Sequence, residues 1–256
     1  MSGRGELDHF RSAYCLWLAA AVALQWPGHL RWVRARGDER LMPLLVNRLQ
    51  MPRLNVGPFA LAGLALIAGL AAAVAPNWNP GWALIGTGIA ALVYFSQVIG
   101  LPEVRRKPNT VPVVLLLMGA AGIAAGGESD RIAWLCLLAI KMLVAQIYFS
   151  SGLTKLKQSN WRWAASPTMQ MALLRCHLRN DNWAALWLAR HARACRTASA
   201  LALVFEMTFW LVIPFPRLAW IYLPAGLIFH LGTAMLMRIH YWIYVVPAYV
   251  VFVVAR

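Results

Sequence analysis

Charged residues are scarce in this chain, and acidic residues are the scarcest of them. Only 13% of its 256 residues are charged, with 9 Asp and Glu against 24 Lys and Arg. Soluble globular chains carry about 25% charged residues, so this chain has roughly half the usual share. The composition therefore excludes an ordinary soluble domain.

Cysteines are also few, and none of them forms a metal-binding spacing. The four are Cys15, Cys136, Cys176 and Cys195. No two stand in a CxxC arrangement, which structural zinc sites and redox motifs use. Cys15 and Cys136 lie in apolar runs and are interpreted as small core residues. The sequence predicts no metal site.

Apolar runs dominate what is present. Hydrophobic residues make up 61% of the chain, and several runs approach the roughly 20 residues that a membrane helix needs. We therefore predict an all-α, polytopic membrane helix bundle forming a single transmembrane domain over 1–256. The predicted spans, about eight, are 14–26, 56–75, 83–101, 111–125, 132–153, 198–213, 218–237 and 241–255.

The segment 154–197 is the longest predicted loop, and its pattern indicates two helices lying on the membrane surface. Ser166 and Pro167 form an N-cap followed by the first helical residue. Asn182 is predicted to cap a second helix. Trp183 and other aromatic residues are suited to the membrane interface.

The net charge of +15 indicates that the chain binds anionic partners. No nucleic-acid recognition motif is present, so basic loops that meet anionic lipids of the bilayer are the better interpretation. The loops 31–53, 102–108 and 154–197 carry most of the positive charge and are predicted to be cytoplasmic, which leaves both termini on the other side. The Ala-, Leu- and Arg-rich composition is typical of a bacterial inner membrane.

Local patterns give four further predictions. Asp130 caps the helix that follows it, and Gln97 makes a hydrogen bond between helices. The Gly- and Ala-rich span 111–125 packs tightly against its neighbours. The run LMPLLVNRL at 41–49 is amphipathic and suited to the membrane surface.

Ionisable residues associated with the last spans are the candidates for chemistry, because such groups are costly at membrane depth. They are Lys141, Lys155, Glu206 and His230. Glu206 could orient His230, or it could pair with Lys141 across helices. There are simpler interpretations. Glu206 and Lys141 could form a purely structural buried pair, and His230 could make a hydrogen bond between helices. Lys155 and Lys157 could be anchors at the membrane edge.

The stretch YFSSGLTKLKQSNW, at 148–161, resembles a family motif. The pattern is a tyrosine, an aromatic, two small residues, a glycine, any two residues and then Lys-Leu, with a tryptophan a few residues on. It is similar to the membrane region of vitamin K-dependent gamma-glutamyl carboxylase, shared with bacterial carboxylase-like HTTM domain proteins. Lys141 precedes the tyrosine by seven residues, as a basic residue does in that family.

The similarity continues in the last spans and is weaker near the middle of the chain. Glu206 lies 24 residues before His230, which follows Phe229, and Trp242 comes twelve residues after the histidine. RKPNTVPVVLLL at 106–117 weakly resembles the family's polar segment, but it lacks the histidine that the carboxylase has there. The large soluble domain of the animal enzymes is also missing from the matched pattern.

The resemblance implies a role for each candidate residue. Lys155 would be the base that deprotonates a reduced quinone, vitamin K hydroquinone or menaquinol, and His230 and Glu206 would position or polarise the substrate. The implied quinone-binding residues are Lys141, Tyr148, Lys157 and Trp161. The animal enzyme works on the lumenal side, whereas the loop charges place Lys155 at the cytoplasmic face.

The expected function is accordingly a carboxylase-like membrane protein, with lyase activity, that acts on a lipid quinone or another membrane-embedded substrate. Two alternatives from other classes stay open. One is a non-catalytic membrane scaffold or assembly factor. The other is a small transporter, which the lack of inverted-repeat symmetry disfavours.

Overall fold

The computed structural model describes residues 3–35, 41–44, 49–75, 80–98, 110–124, 130–240 and 242–255. Over these residues the regular secondary structure is helical apart from one short antiparallel hairpin, so the prediction of a helical membrane-type fold is confirmed. The chain divides into two compact units. Unit 1 comprises residues 1–140 and 243–256, and unit 2 comprises 141–242.

Unit 1 contains the first helices and the hairpin. Its elements are α1 (Gly3–Ala35), β1 (Leu41–Leu44), β2 (Leu49–Pro52), α2 (Val56–Val74), α3 (Gly81–Val98), α4 (Thr110–Ala124), the first part of α5 (Asp130–Gln158) and most of α10 (Trp242–Val254). The two strands pair Leu41 with Pro52 and Leu44 with Leu49. Part of the run predicted to be amphipathic is therefore a hairpin.

Unit 2 contains the rest of α5 and the elements that carry the candidate chemistry. They are a 3₁₀ turn at Trp163–Ala165, α6 (Thr168–Asn180), α7 (Trp183–Ala189), α8 (Ala192–Thr208), 3₁₀ turns at Phe209–Val212 and Pro216–Leu218, and α9 (Ala219–Met237). The turns on either side of Pro214 confirm a break between the sixth and seventh predicted spans, because proline cannot continue the helical hydrogen bonding.

Among the described residues, five helical segments are long and apolar enough to cross a membrane. They are Val56–Val74, Gly81–Val98, Asp130–Gln158, Ala192–Val212 and Pro216–Met237. Each overlaps a predicted span. The helices Thr110–Ala124 and Trp242–Val254 are apolar but shorter. The predicted span 14–26 lies within the much longer α1, so the number of eight spans stays a prediction.

Glycines let the helices of unit 1 approach closely. A Cβ atom on Gly63 would lie 1.7 Å from the ring of Trp26, and one on Gly119 would lie 2.9 Å from the Gly81 carbonyl oxygen. The Trp26 ring itself stacks with Phe59, with centroids 6.2 Å apart. The tight packing predicted for α4 is thus confirmed at Gly119.

Three capping and bonding predictions have different outcomes. Asn182 caps α7 as predicted, since its side chain accepts from the Ala185 backbone N–H. Asp130 is the first residue of α5, and its carboxylate accepts from the backbone N–H of Arg4, at 3.0 Å, in the first turn of α1, so its role as the cap of α5 stays a prediction. Gln97 accepts from the backbone N–H of Leu54, at 2.9 Å, which lies just before α2 rather than in another helix.

The segment 154–197 is shorter as a loop than predicted. α5 continues to Gln158, and α8 begins at Ala192. Two helices, α6 and α7, do lie between them. Ser166 is not the N-cap of α6; Pro167 takes that position, and the Ser166 hydroxyl donates to the Trp163 carbonyl at 2.8 Å.

Candidate functional site

A close approach between α5 and α8 begins the site. Gly152 of α5 lies against α8, so that a Cβ atom there would be 2.8 Å from Met207 Sδ and 3.2 Å from Glu206 Cβ. A side chain at this position would require the Met207 side chain to move and would crowd Glu206. Because Gly152 has no side chain, Glu206 can lie close to the face of α5 that carries Ser151 and Lys155.

An ion pair joins the two helices at this point. The Lys155 ammonium donates to both carboxylate oxygens of Glu206, and the Ser151 hydroxyl donates to the Oε1 atom at 3.1 Å. The Glu206 side chain is 4% exposed, whereas that of Lys155 is 23% exposed. The carboxylate is therefore buried, and the lysine is the member of the pair that can be reached from outside.

Aromatic rings surround the lysine nitrogen. The Lys155 Nζ atom lies 5.8 Å from the centroid of the Trp163 ring and 6.0 Å from that of Phe229. Rings at this distance stabilise a cation through their quadrupoles. They also give the pair an apolar, flat-walled surrounding.

A second polar pair lies farther along the same helix face. The Tyr148 hydroxyl and the Nε2 atom of His230 are 2.5 Å apart, and both side chains are buried. Tyr148 precedes Lys155 by seven residues, which is two turns and about 10 Å along α5. The Tyr148 ring packs on Phe209, with centroids 4.5 Å apart. α5 thus presents Tyr148, Ser151 and Lys155 on one stripe towards α8 and α9.

Four predicted site residues come together in unit 2, although not in the predicted pairs. Lys155 and Glu206 form one pair, and Tyr148 and His230 form the other. Within the described residues the Glu206 carboxylate bonds to Lys155 and Ser151 and not to His230. The hypothesis that Glu206 orients His230 is therefore wrong.

The hypothesis of a Lys141–Glu206 pair is also wrong. Lys141 precedes Lys155 by fourteen residues on the same helix, a distance of about 21 Å at 1.5 Å per residue. A lysine side chain cannot extend that far. Lys141, a candidate quinone-binding residue, therefore lies far from the ion pair.

The remaining predicted binding residues lie at the end of α5. Lys157 and Trp161 are both exposed. Lys157 is two residues beyond Lys155, which turns its side chain about 200° away from the face that carries the ion pair. The structure therefore brings neither of them to the ion pair.

The end of α5 has its own geometry. Asn160 adopts a left-handed conformation with φ 48°. The Trp161 N–H donates to the Leu156 carbonyl, and the Asn160 N–H donates to the Lys157 carbonyl. This is the Schellman arrangement, in which asparagine is among the residues that accept the left-handed position.

Sequence reasoning missed several residues that build this region. Ser151 bonds the carboxylate, and Trp163 and the Phe205, Phe209 and Phe229 rings surround the two pairs. The spacing 148, 151, 155 on one helix face could have identified Ser151. In unit 1 a further buried pair was missed, His29 Nδ1 to the Tyr94 hydroxyl at 2.6 Å.

No group of three or more His, Cys, Asp or Glu side chains that could hold a metal ion occurs among the described residues. The weak family-like segment 106–117 lies partly outside the described residues. Comparison of the chain with protein-family models, curated proteins and solved structures finds no match in any of the three. The resemblance to the carboxylase region therefore depends on the motif residues alone.

Proposed function

We propose that this chain is a carboxylase-like integral membrane enzyme of the bacterial inner membrane that removes a proton from a membrane-embedded substrate, with Lys155 as the base. One observation carries the proposal. The buried Glu206 carboxylate is held by a partly accessible lysine within the motif that resembles the carboxylase. Ionisable groups among apolar helices are costly and mark functional sites.

The pair offers a route for the proton. A lysine accepts a proton only when its amine is neutral. Because both Glu206 oxygens contact the Nζ atom, an ammonium proton can pass to the carboxylate, which breaks an N–H bond and forms an O–H bond. The free amine lone pair of Lys155 then takes the proton of a substrate hydroxyl. In this role Glu206 accepts protons and does not orient the histidine.

The surroundings of the pair favour a flat, apolar substrate that carries a hydroxyl group. Trp163 and Phe229 flank the Lys155 nitrogen and would contact the faces of such a ring. A reduced quinone has this form, and it would reach the site from the bilayer. When bound, it would supply the acidic hydroxyl and the reducing equivalents that dioxygen takes up. Tyr148 and His230, on the same stripe of α5, would position the substrate.

The test is quinol-dependent oxygen consumption by the purified protein in lipid nanodiscs, with menaquinol and phylloquinol. We expect consumption above that of empty nanodiscs and a rate near wild type for Lys157→Ala. Lys157 is the matched control for Lys155 because it is an exposed lysine in the same helical turn. If the rate equals that of empty nanodiscs and no quinone co-purifies, the non-catalytic scaffold becomes the better account.

A further inference from the structure

A cavity of about 440 Å³ opens where the start of α7 meets the end of α9. This volume lies in the range of small-ligand sites. None of the residues that line the cavity belongs to the two polar pairs described above. The side chains that matter for its chemistry are Asp181, Asn182, Trp183, Arg238 and His240.

Hydrogen bonds from Asn182 hold the two walls of the cavity together. Its Nδ2 atom donates to the Met235 carbonyl at 2.7 Å and to the Leu236 carbonyl at 3.2 Å. Its Oδ1 atom accepts from the Ala185 N–H at 3.1 Å. One side chain thus caps α7 and satisfies carbonyl groups at the end of α9, which fixes the shape of the cavity.

Two opposite charges share the cavity without forming a pair. Over the described part of the chain, neither the Asp181 carboxylate nor the Arg238 guanidinium has a hydrogen-bond or ion-pair partner. Both residues end a helix in the left-handed conformation, with φ 47° and 52°, where glycine is favoured. Charged side chains therefore stand at two positions where the backbone alone would favour glycine.

The position of the cavity along α9 indicates the depth of its ligand. The apolar segment Pro216–Met237 is a candidate membrane span, and Arg238 and His240 follow it directly. Residues at the end of a span lie at the level of the lipid headgroups. Trp183, which borders the cavity, is 70% exposed, as an interfacial tryptophan is.

We propose that this cavity binds the headgroup of a zwitterionic phospholipid of the ethanolamine class. Arg238 and His240 would contact the phosphodiester, and Asp181 would accept hydrogen bonds from the primary ammonium. The acyl chains would follow the exposed apolar face of α9, which includes Ile228 and Met235. The site is independent of the proton-transfer function proposed for Lys155.

The test measures binding of phosphatidylethanolamine and phosphatidylglycerol with identical acyl chains to the delipidated full chain in detergent, by native mass spectrometry. The two lipids share the phosphodiester and differ in the ammonium group. We expect the ethanolamine lipid to bind about tenfold more tightly, the effect of one charge-assisted hydrogen bond. Asp181→Asn should remove this preference, and Arg238→Gly should weaken both lipids by about tenfold.

Both substitutions are compatible with the fold, because glycine and asparagine accept the left-handed conformation. Thermal unfolding checks this for each variant. Arg217→Gly, in the 3₁₀ turn that precedes the opposite end of α9, is the matched control and should leave both affinities unchanged. Equal binding of the two lipids to the wild type overturns the proposal. So does tighter binding of phosphatidylglycerol, or a preference that Asp181→Asn leaves intact.

Discussion

Lys155→Met is expected to lower the free energy of unfolding by about 3–5 kcal/mol, because it leaves the Glu206 carboxylate buried without its cation. The carboxylate is only 4% exposed, so water cannot replace the lost partner. Reversible denaturation in mixed micelles with SDS measures the change. The matched control is Lys157→Met, which removes an exposed lysine from the same turn and should change stability by less than about 0.5 kcal/mol.

A double variant separates the cost of an unpaired charge from the loss of packing. Lys155→Met combined with Glu206→Leu removes both charges and should recover most of the stability that the single variant loses, since apolar replacement of a buried pair is often neutral or stabilising. If Lys155→Met alone unfolds like the wild type, the two side chains are not paired in the folded protein.

Glu206→Gln is expected to reduce quinol turnover by about 10²- to 10⁴-fold, the usual range for loss of an acid–base group. Glutamine keeps the shape of the side chain but cannot take the lysine proton. The protein should stay folded, because Lys155 is 23% exposed and water can solvate its ammonium. Turnover and unfolding are measured on the same nanodisc and micelle preparations. Turnover near wild type in this variant would contradict the role of Glu206 as proton acceptor.

The helices of this protein could be predicted well from its apolar runs, but their ends could not. Hydropathy indicated that the fifth span stops at Leu153, whereas α5 continues to Gln158. Hydropathy indicates which residues can contact lipid, but it does not show where a helix ends. The helical hydrogen bonds of α5 continue through polar residues, and the helix ends just before Asn160, which adopts the left-handed conformation. This extension places Lys155 on the helix rather than in a loop.

The residues of the candidate site could be predicted, but their partners depended on packing. The sequence singled out Lys155, Glu206 and His230 because ionisable groups in apolar segments are rare. All three lie in unit 2, together with Tyr148. Which residue of α8 faces α5 depends on the close contact at Gly152. Helix geometry alone could have shown that Glu206 reaches one of Lys141 and Lys155 and not both.

The most direct test of Lys155 as a base is quinol-dependent oxygen consumption by the Lys155→Arg variant in nanodiscs. Arginine keeps the positive charge and the pairing with Glu206, but it does not give up its proton in proteins. The account predicts a folded protein of near wild-type stability whose turnover falls to that of empty nanodiscs. Turnover near the wild-type rate would contradict it. Turnover would then require only a positive charge at position 155, and Lys155 would be a structural or electrostatic residue.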